Sequence, residues 1–455
     1  MLDTLITGGL IPDFDAGVMK PANVGISGDK VCFVGESEPA AREVVDASGC
    51  VVSPGFIDIH MHEENFAEGK HYIIADMMLR MGVTTAVGGN CGIQYQPMDS
   101  FLQNVNALDG APLNYMIVSG YNRYRYILGL GHHDVITRPQ QDQILKFIQK
   151  DLENGAVGIS FGIEYDPIMS TEEMLYACRA ADSPDHLVAA HYRTDADGAI
   201  DSIREMIQLQ EEITGKFQIS HLSSCSAYGQ MKEALDVIHE YMDRDPRLDY
   251  DTYPYNAFST YIGFTTFDGE DPMKQWGKDY PDLLLTEPPY ENVRCTKKIF
   301  EDARRNYPNM LAVAFVMNED EIRMAVADSR GMIASDGIIS GGKGHPRAAG
   351  TFPRVLRKYV REEGALSLVE AIRKMTDAPA RRLGLKNKGR IFEGADADLV
   401  IFDPETIYDR ASFTDSALPP DGIRLAYVGG VKALEGHDIL CRTAGKVLGM
   451  GGKVL

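Results

Sequence analysis

The chain has 455 residues, 44% of them hydrophobic and 24% charged, which suits one large or two ordinary soluble domains with a well-buried core. Its formal net charge of −21 argues against a nucleic-acid partner and against docking on an anionic membrane, since both need a basic surface. No stretch approaches the roughly 20 uninterrupted apolar residues of a spanning helix, and the start, "MLDTLITGGLIPDFDAG", lacks the cationic head and apolar core of a signal peptide, which gives a cytoplasmic expectation.

Taken in chain order, the first fifty-odd residues read as short strands broken by turns: "DTLITGG", "ANVGISGDKVCFVGE" and "EVVDASGCVVSPG". Val and Ile recur between Gly, Asp and Asn, and "SGD" is the clearest tight turn. From about residue 56 the rhythm changes to short apolar runs alternating with segments of helical period. Eight strands are expected: "GFIDIHMH", "TTAVGGN", "NYMIVSG", "AVGISFGIEY", "LVAAHYR", "KFQISHLS", "LDYDTYPY" and "GMIASDG". Helical segments such as 199–213 ("AIDSIREMIQLQEEI") and 229–243 ("GQMKEALDVIHEYMD") lie between most of them. Eight strand–helix units favour a closed (β/α)8 TIM barrel over residues 56–384. An open doubly wound sheet is the alternative, but it would usually carry an early glycine-rich phosphate loop, and none is convincing. A polar, Pro- and aromatic-rich stretch, 263–293, interrupts the repeat after the seventh strand and carries the single Trp276; it reads as a candidate lid or a surface excursion. The end of the chain, "GADADLVIFDPE", "IRLAYVGGVKAL" and "GKVLGMGGKVL", has the texture of the beginning. Residues 1–55 and 385–455 are therefore expected to form one small β-sandwich domain.

The polar residues collect at the C-terminal ends of the expected strands, where parallel barrels place their active sites. The first strand ends in His60 and His62, spaced so that both imidazoles point to one side of an extended chain. Cys91 ends the second strand, Glu164 the fourth, His191 the fifth, His221 the sixth and Asp336 the eighth. Each alone has a plain structural explanation. Four of only eleven histidines at strand ends, together with the thiol, point to a metal site. Imidazole and thiolate suit zinc, and their wide spacing suits a catalytic rather than a structural site. Asp336 is then the candidate to move the proton of a metal-activated water. The other histidines, His71 among them, fall mainly in helices and loops. The other six of the seven cysteines read as ordinary buried or half-buried thiols, with no disulfide framework.

These residues sit in motifs that resemble a known family. "PGFIDIHMH" is similar to the opening signature of the amidohydrolase superfamily. "GVTTAVGGNCG", "GAVGISFGIEYDP", "HYR", "ISHLS", "DTYPYNAFST", "ASDG", "HPRAAGTFPRVL" and "KMTDAPARRLGLKNKGRIFEGADADLVIFDP" together resemble its N-acyl-D-amino-acid deacylase (D-aminoacylase) branch, in order, from about residue 4 to the end. The resemblance implies a (β/α)8 barrel with a β-sandwich from both termini. It also implies a tightly held Zn2+ on Cys91, His191 and His221, with a second, weaker metal position at His60 and His62. Asp336 maps to the catalytic aspartate. The fourth strand has no lysine to carbamylate, so Cys91 takes the bridging role, with Glu164 a further ligand candidate.

The expected reaction is zinc-dependent hydrolysis of the amide of an N-acyl-D-amino acid, a small-molecule substrate. The alternatives are a dipeptidase, a hydantoinase- or dihydropyrimidinase-like cyclic-amide hydrolase, and a metal-binding homologue without catalysis. The sequence leaves a homo-oligomer open. Tyr253 and Ser259 match family positions that touch the substrate. Two positions depart from the pattern: Ser223 replaces the lysine of "SHLK" that helps hold a substrate carboxylate, and Tyr121 replaces a histidine after the third strand. Arg193, Arg347, Arg123 and Arg125 are candidate replacement cations.

Overall fold

The computed structural model describes residues 1–64, 66 and 73–455; His71 lies outside the described residues. It is a mixed α/β structure. Each of the eight expected segments contains a strand: Phe56–Asp58, Val83–Gly88, Asn114–Ile117 (continued by Ser119–Gly120), Gly158–Gly162, Leu187–His191, Lys216–Ile219, Leu248–Thr252 and Met332–Ile333. Successive strands pair in parallel from the first to the third and from Ser119–Gly120 to the eighth. The eighth returns to the first: Met61 bridges Gly337 in the parallel sense, and Asp336 N–H donates to His60 O at 2.8 Å.

The strand interiors are buried on both faces, as the continuous apolar runs require. Helices such as Ala199–Glu211 and Met231–Met242 cover the outside, packing Ile203, Met206, Leu235 and Ile238 into the same core as Phe217 and Ile219.

Two further sheets join the ends of the chain. A four-stranded sheet runs Lys30–Gly35, Asn23–Ser27, Leu2–Thr7, Ala41–Asp46. A seven-stranded sheet places Val51–Pro54 between Leu399–Phe402 and Leu10–Asp13. Alternation along those strands serves two cores at once. Val52, Leu399 and Ile401 face Ile6, Val24 and Val31 of the smaller sheet, whereas Val51, Val400 and Phe402 join the main core.

Three expectations change. The stretch 263–293 is not an irregular excursion. Leu283–Leu285 and Val293–Arg294 pair, together with Phe258–Tyr261 and Leu311–Ala314, into a four-stranded antiparallel sheet inserted after the seventh parallel strand. The short apolar runs "LLL" and "LAVA" give it its own core face, and Trp276 is buried against Phe258 and Phe267. The closing segment also departs from the terminal sheets. Residues 445–448 run beside the third parallel strand, where Leu448 N–H donates to Tyr115 O at 2.7 Å. Gly445 permits this approach, because a Cβ there would lie 2.1 Å from the Leu113 carbonyl. Finally, Cys32 is exposed rather than half-buried, on the outer face of its strand.

Candidate active site

The strand ends converge on one cavity, lined among others by His62, Glu164, His191, His221 and Asp336. Cys91 Sγ lies 3.3 Å from His60 Nε2 and 3.4 Å from His221 Nε2. Asp336 Oδ1 is 3.2 Å from His62 Nε2 and 3.5 Å from His60 Nε2. His191 stacks edge-on to His221 with ring centroids 4.4 Å apart, and its Nε2 is 3.1 Å from Glu164 Oε2. The donor atoms of His60, Cys91, His221 and Asp336 all fall within 4.8 Å of one another, and all four residues are buried.

The backbone is bent to achieve this. Among the described residues, six other than glycine have a positive φ, and Cys91 (53°), His221 (34°) and Asp336 (49°) are three of them. Such conformations persist where surrounding structure over-determines them, and they cluster at functional sites. The glycines around Cys91 make the bend possible. Gly89 has φ +79°, and a Cβ on it would sit 1.9 Å from Val118 O. Gly89→Ala is expected to destabilise the fold by about 3 kcal/mol, because a side chain meets backbone that cannot rotate away; a urea midpoint within error of the parent would refute this.

Electrostatics reinforce the geometry. Burial alone raises the Cys91 thiol pKa, but the His60 and His221 imidazoles outweigh it and hold the group well below the usual thiol range, favouring thiolate. Burial likewise opposes charge on Asp336, yet Arg347 and His221 hold its carboxyl well below the usual carboxylate range. Arg347 Nη1 lies 2.9 Å from Asp336 Oδ2, so Oδ1 is the oxygen that faces the imidazoles. Ser224 Oγ lies 2.7 Å from His221 Nδ1, an arrangement that turns Nε2 toward Cys91.

The residues present fit a metal. His191 Nε2 is fully buried yet makes no hydrogen bond of good geometry despite its contact with Glu164, and imidazole, thiolate and carboxylate are the donors zinc takes.

The other expected contacts divide. Ser259 and Glu164 line the cavity; Glu164 Oε2 also accepts from Thr266 Oγ1 at 2.7 Å, tying the inserted sheet to the site. Tyr253 lies behind it, its ring 4.8 Å from the Arg347 guanidinium. Three expectations are revised. Tyr121 begins the helix Tyr121–Ile127, packs against Phe161 and donates its hydroxyl to Glu173. Ser223, in a short helix, turns to the Tyr253 carbonyl at 3.4 Å. Arg193 is spent on Glu205 and on the Pro167 and Met169 carbonyls. Of the remaining cations, Arg125 pairs with Glu173, and Arg347 is held by Asp336 and by Ser259 O at 3.0 Å.

Sequence reasoning missed Asp195, Asp251 and Ser224. Asp251 Oδ1 accepts from His221 N–H at 2.8 Å and sits 3.3 Å from His60 Nδ1. It lies within the seventh strand, where the alternation of "LDYDT" marks it as inward-facing. Asp195 lines the cavity four residues beyond His191, where "TDADG" reads only as a turn.

Comparison with known proteins agrees with this geometry. Residues 323–432 match the amidohydrolase family. A D-aminoacylase of Alcaligenes xylosoxydans xylosoxydans is 30% identical, over 98% of this chain and 97% of its own. A solved D-aminoacylase, studied for its binuclear metal centre with one-metal activation and second-metal attenuation, superposes with a TM-score of 0.88 at 29% identity, covering 99% of this chain and all of its own. An N-acyl-D-glutamate deacylase from Bordetella bronchiseptica, complexed with zinc and a phosphonate inhibitor that mimics the tetrahedral intermediate, gives 0.88 at 28% identity over 98% and 99% of the two chains. Full-length similarity at this level, on a site of buried imidazoles, thiol and carboxylates, places the chain in the D-aminoacylase family of N-acyl-D-amino-acid deacylases.

Proposed function

We propose that the protein is a zinc-dependent hydrolase that cleaves the amide of N-acyl-D-amino acids to a carboxylate and a free D-amino acid. The observation that carries this reading is the buried cluster of Cys91, His60, His221 and Asp336. Cys91, His191 and His221 would hold the tight zinc, with His60 and His62 at a second, weaker position and Glu164 as a further ligand. When bound, the metal supplies a Lewis acid and an acidified water.

The chain's own residues then divide the work. Asp336 accepts the proton of the attacking water at Oδ1 and returns it to the leaving nitrogen. Arg347 keeps Asp336 ionised by binding Oδ2. Ser224 and Asp251 hold His221 from its ring and from its backbone. Ser259, whose buried hydroxyl lines the cavity and has no partner among the described residues, would contact the substrate.

The reading extends to architecture. It takes residues 56–384 as a closed (β/α)8 barrel, 1–55 with 385–455 as a β-sandwich apart from the closing segment 445–448 laid beside the third parallel strand, and 263–293 as part of a lid. The two runs of parallel pairings, which meet at the third strand where Val157 N–H donates to Ile117 O, and the Met61–Gly337 bridge support closure. The two terminal sheets share one core, and Thr265 and Thr266 of the insertion both bond Glu164. A cyclic-amide hydrolase is less well supported, since the fourth strand, "GISFG", carries no lysine.

The test is a screen of N-acetyl amino acids in D and L series alongside dipeptides and cyclic amides. Turnover of linear D-substrates is expected; activity confined to L-substrates or rings would overturn the substrate class.

A further inference from the structure

We propose that the Asp195 carboxylate receives a primary ammonium group of the substrate, so that this enzyme selects positively charged amides. The inference rests on the amide-hydrolase reading above and sharpens its substrate class.

The described residues lining the cavity include three carboxylates, those of Glu164, Asp195 and Asp336, and no lysine or arginine. Two of the three are already matched. Asp336 has Arg347 at 2.9 Å and His62 at 3.2 Å, and Glu164 has His191 at 3.1 Å and the Thr266 hydroxyl at 2.7 Å. Asp195 is not matched. It is only 6% exposed, and its Oδ1 is buried with no hydrogen-bond partner. Its near neighbours are the Cys225 thiol and the His191 ring, and Glu164 adds a like charge. Burial and Glu164 push this carboxyl up to about 8 against the pull of His191 and Cys225, so it carries its charge at neutral pH only when a cation completes it.

The carboxylate is also held in place. Asp195 caps the turn Ala196–Gly198, its carbonyl accepting from Gly198 N–H at 3.1 Å, and Ala196 follows with φ 51°. Among the described residues, Arg347 is already bound to Asp336, and Arg193 to Glu205. At the position where the family resemblance expects a carboxylate-holding lysine, Ser223 bonds the Tyr253 carbonyl instead. The cavity thus presents a buried carboxyl oxygen without a hydrogen-bond partner and no lysine or arginine among its described lining residues. An ammonium group offers three donors and one positive charge, which is what Asp195 lacks.

The ammonium could belong to the acyl half or to the amine half of the substrate, and two matched pairs distinguish them. N-glycyl-D-norleucine is compared with N-propionyl-D-norleucine, and Nα-acetyl-D-lysine with Nα-acetyl-D-norleucine. In one pair, the zinc-loaded enzyme is expected to favour the charged member in kcat/KM by about 10- to 100-fold, the range of a charged hydrogen bond. Asp195→Asn should bring that ratio to about one with bound metal unchanged. Ratios at or below one in both pairs would overturn the proposal, as would a preference that survives the substitution. A loss of metal in Asp195→Asn would overturn it too, by assigning the group to an ion with His191 and Cys225. Calorimetric binding of n-butylammonium against n-butanol to the wild-type holoenzyme reads the same site without turnover. Selective ammonium binding by a protein that hydrolyses no amide sinks the hydrolase reading and not Asp195; turnover of neutral amides with no ammonium selectivity does the reverse.

Discussion

Replacing Asp336 with Asn lowers turnover by about 10³- to 10⁴-fold, the upper range of a lost general acid–base group, while fold and metal content are retained. The two carboxylate oxygens of Asp336 have separate roles. Oδ2 is committed to Arg347, and Oδ1 faces the imidazoles of His60 and His62. Asn keeps the shape and still offers Arg347 an oxygen, but it cannot take up a proton. Asn is the informative choice over Ala. Arg347 is itself only 1% exposed, and truncating its partner would strand a buried cation at about 3–5 kcal/mol. The measurement is steady-state turnover beside elemental zinc analysis and a thermal melt. A variant within tenfold of the parent rate would remove Asp336 from the mechanism.

The second large effect is at Cys91. Cys91→Ala is expected to abolish tight zinc binding and activity together. The loss should exceed the roughly 10- to 100-fold that removing an outer-shell partner costs. Cys91→Ser is expected to fail nearly as completely although it preserves size, because a hydroxyl stays protonated where His60 and His221 hold the thiol ionised. Both imidazoles would remain within reach of one another, so the comparison isolates the thiolate. Retention of stoichiometric zinc by either variant would remove Cys91 from the ligand set.

Much of the architecture was legible because the strands of a parallel sheet are apolar on both faces and end abruptly in polar residues. "TTAVGGNCG" and "LVAAHYR" carry that signal plainly. The site was legible where backbone alone aims the side chain, as at His60 and His62, two residues apart on one extended segment. It was not legible where direction depends on a neighbour. Tyr121 looked like a substrate contact until the start of its helix turned it toward Glu173. Arg193 looked like a free cation until Glu205, twelve residues on, and two carbonyls occupied its donors. Asp195 was hidden for the opposite reason. Its "TDADG" setting looks like solvent-exposed turn chemistry, and only the packing of the fifth and sixth strand ends buries it. The inserted sheet escaped because its strands are two to four residues long and two of its three pairings cross more than twenty residues of chain.

The seating of Val51–Pro54 between Leu10–Asp13 and Leu399–Phe402 also bears on biogenesis. Pro54 leads within two residues into the first parallel strand, so one side of that strand's support is made late on the ribosome. Until Leu399 and the strands Ile423–Val428 and Val431–Glu435 emerge, Val51 and Val52 lack their covering partners. Contacts of such long sequence separation slow folding and leave a nascent chain with an unpaired strand edge. The sheet that backs the first parallel strand is therefore completed only after residues 399–435 have emerged, and chaperone dependence in the cell should concentrate on chains paused before that point.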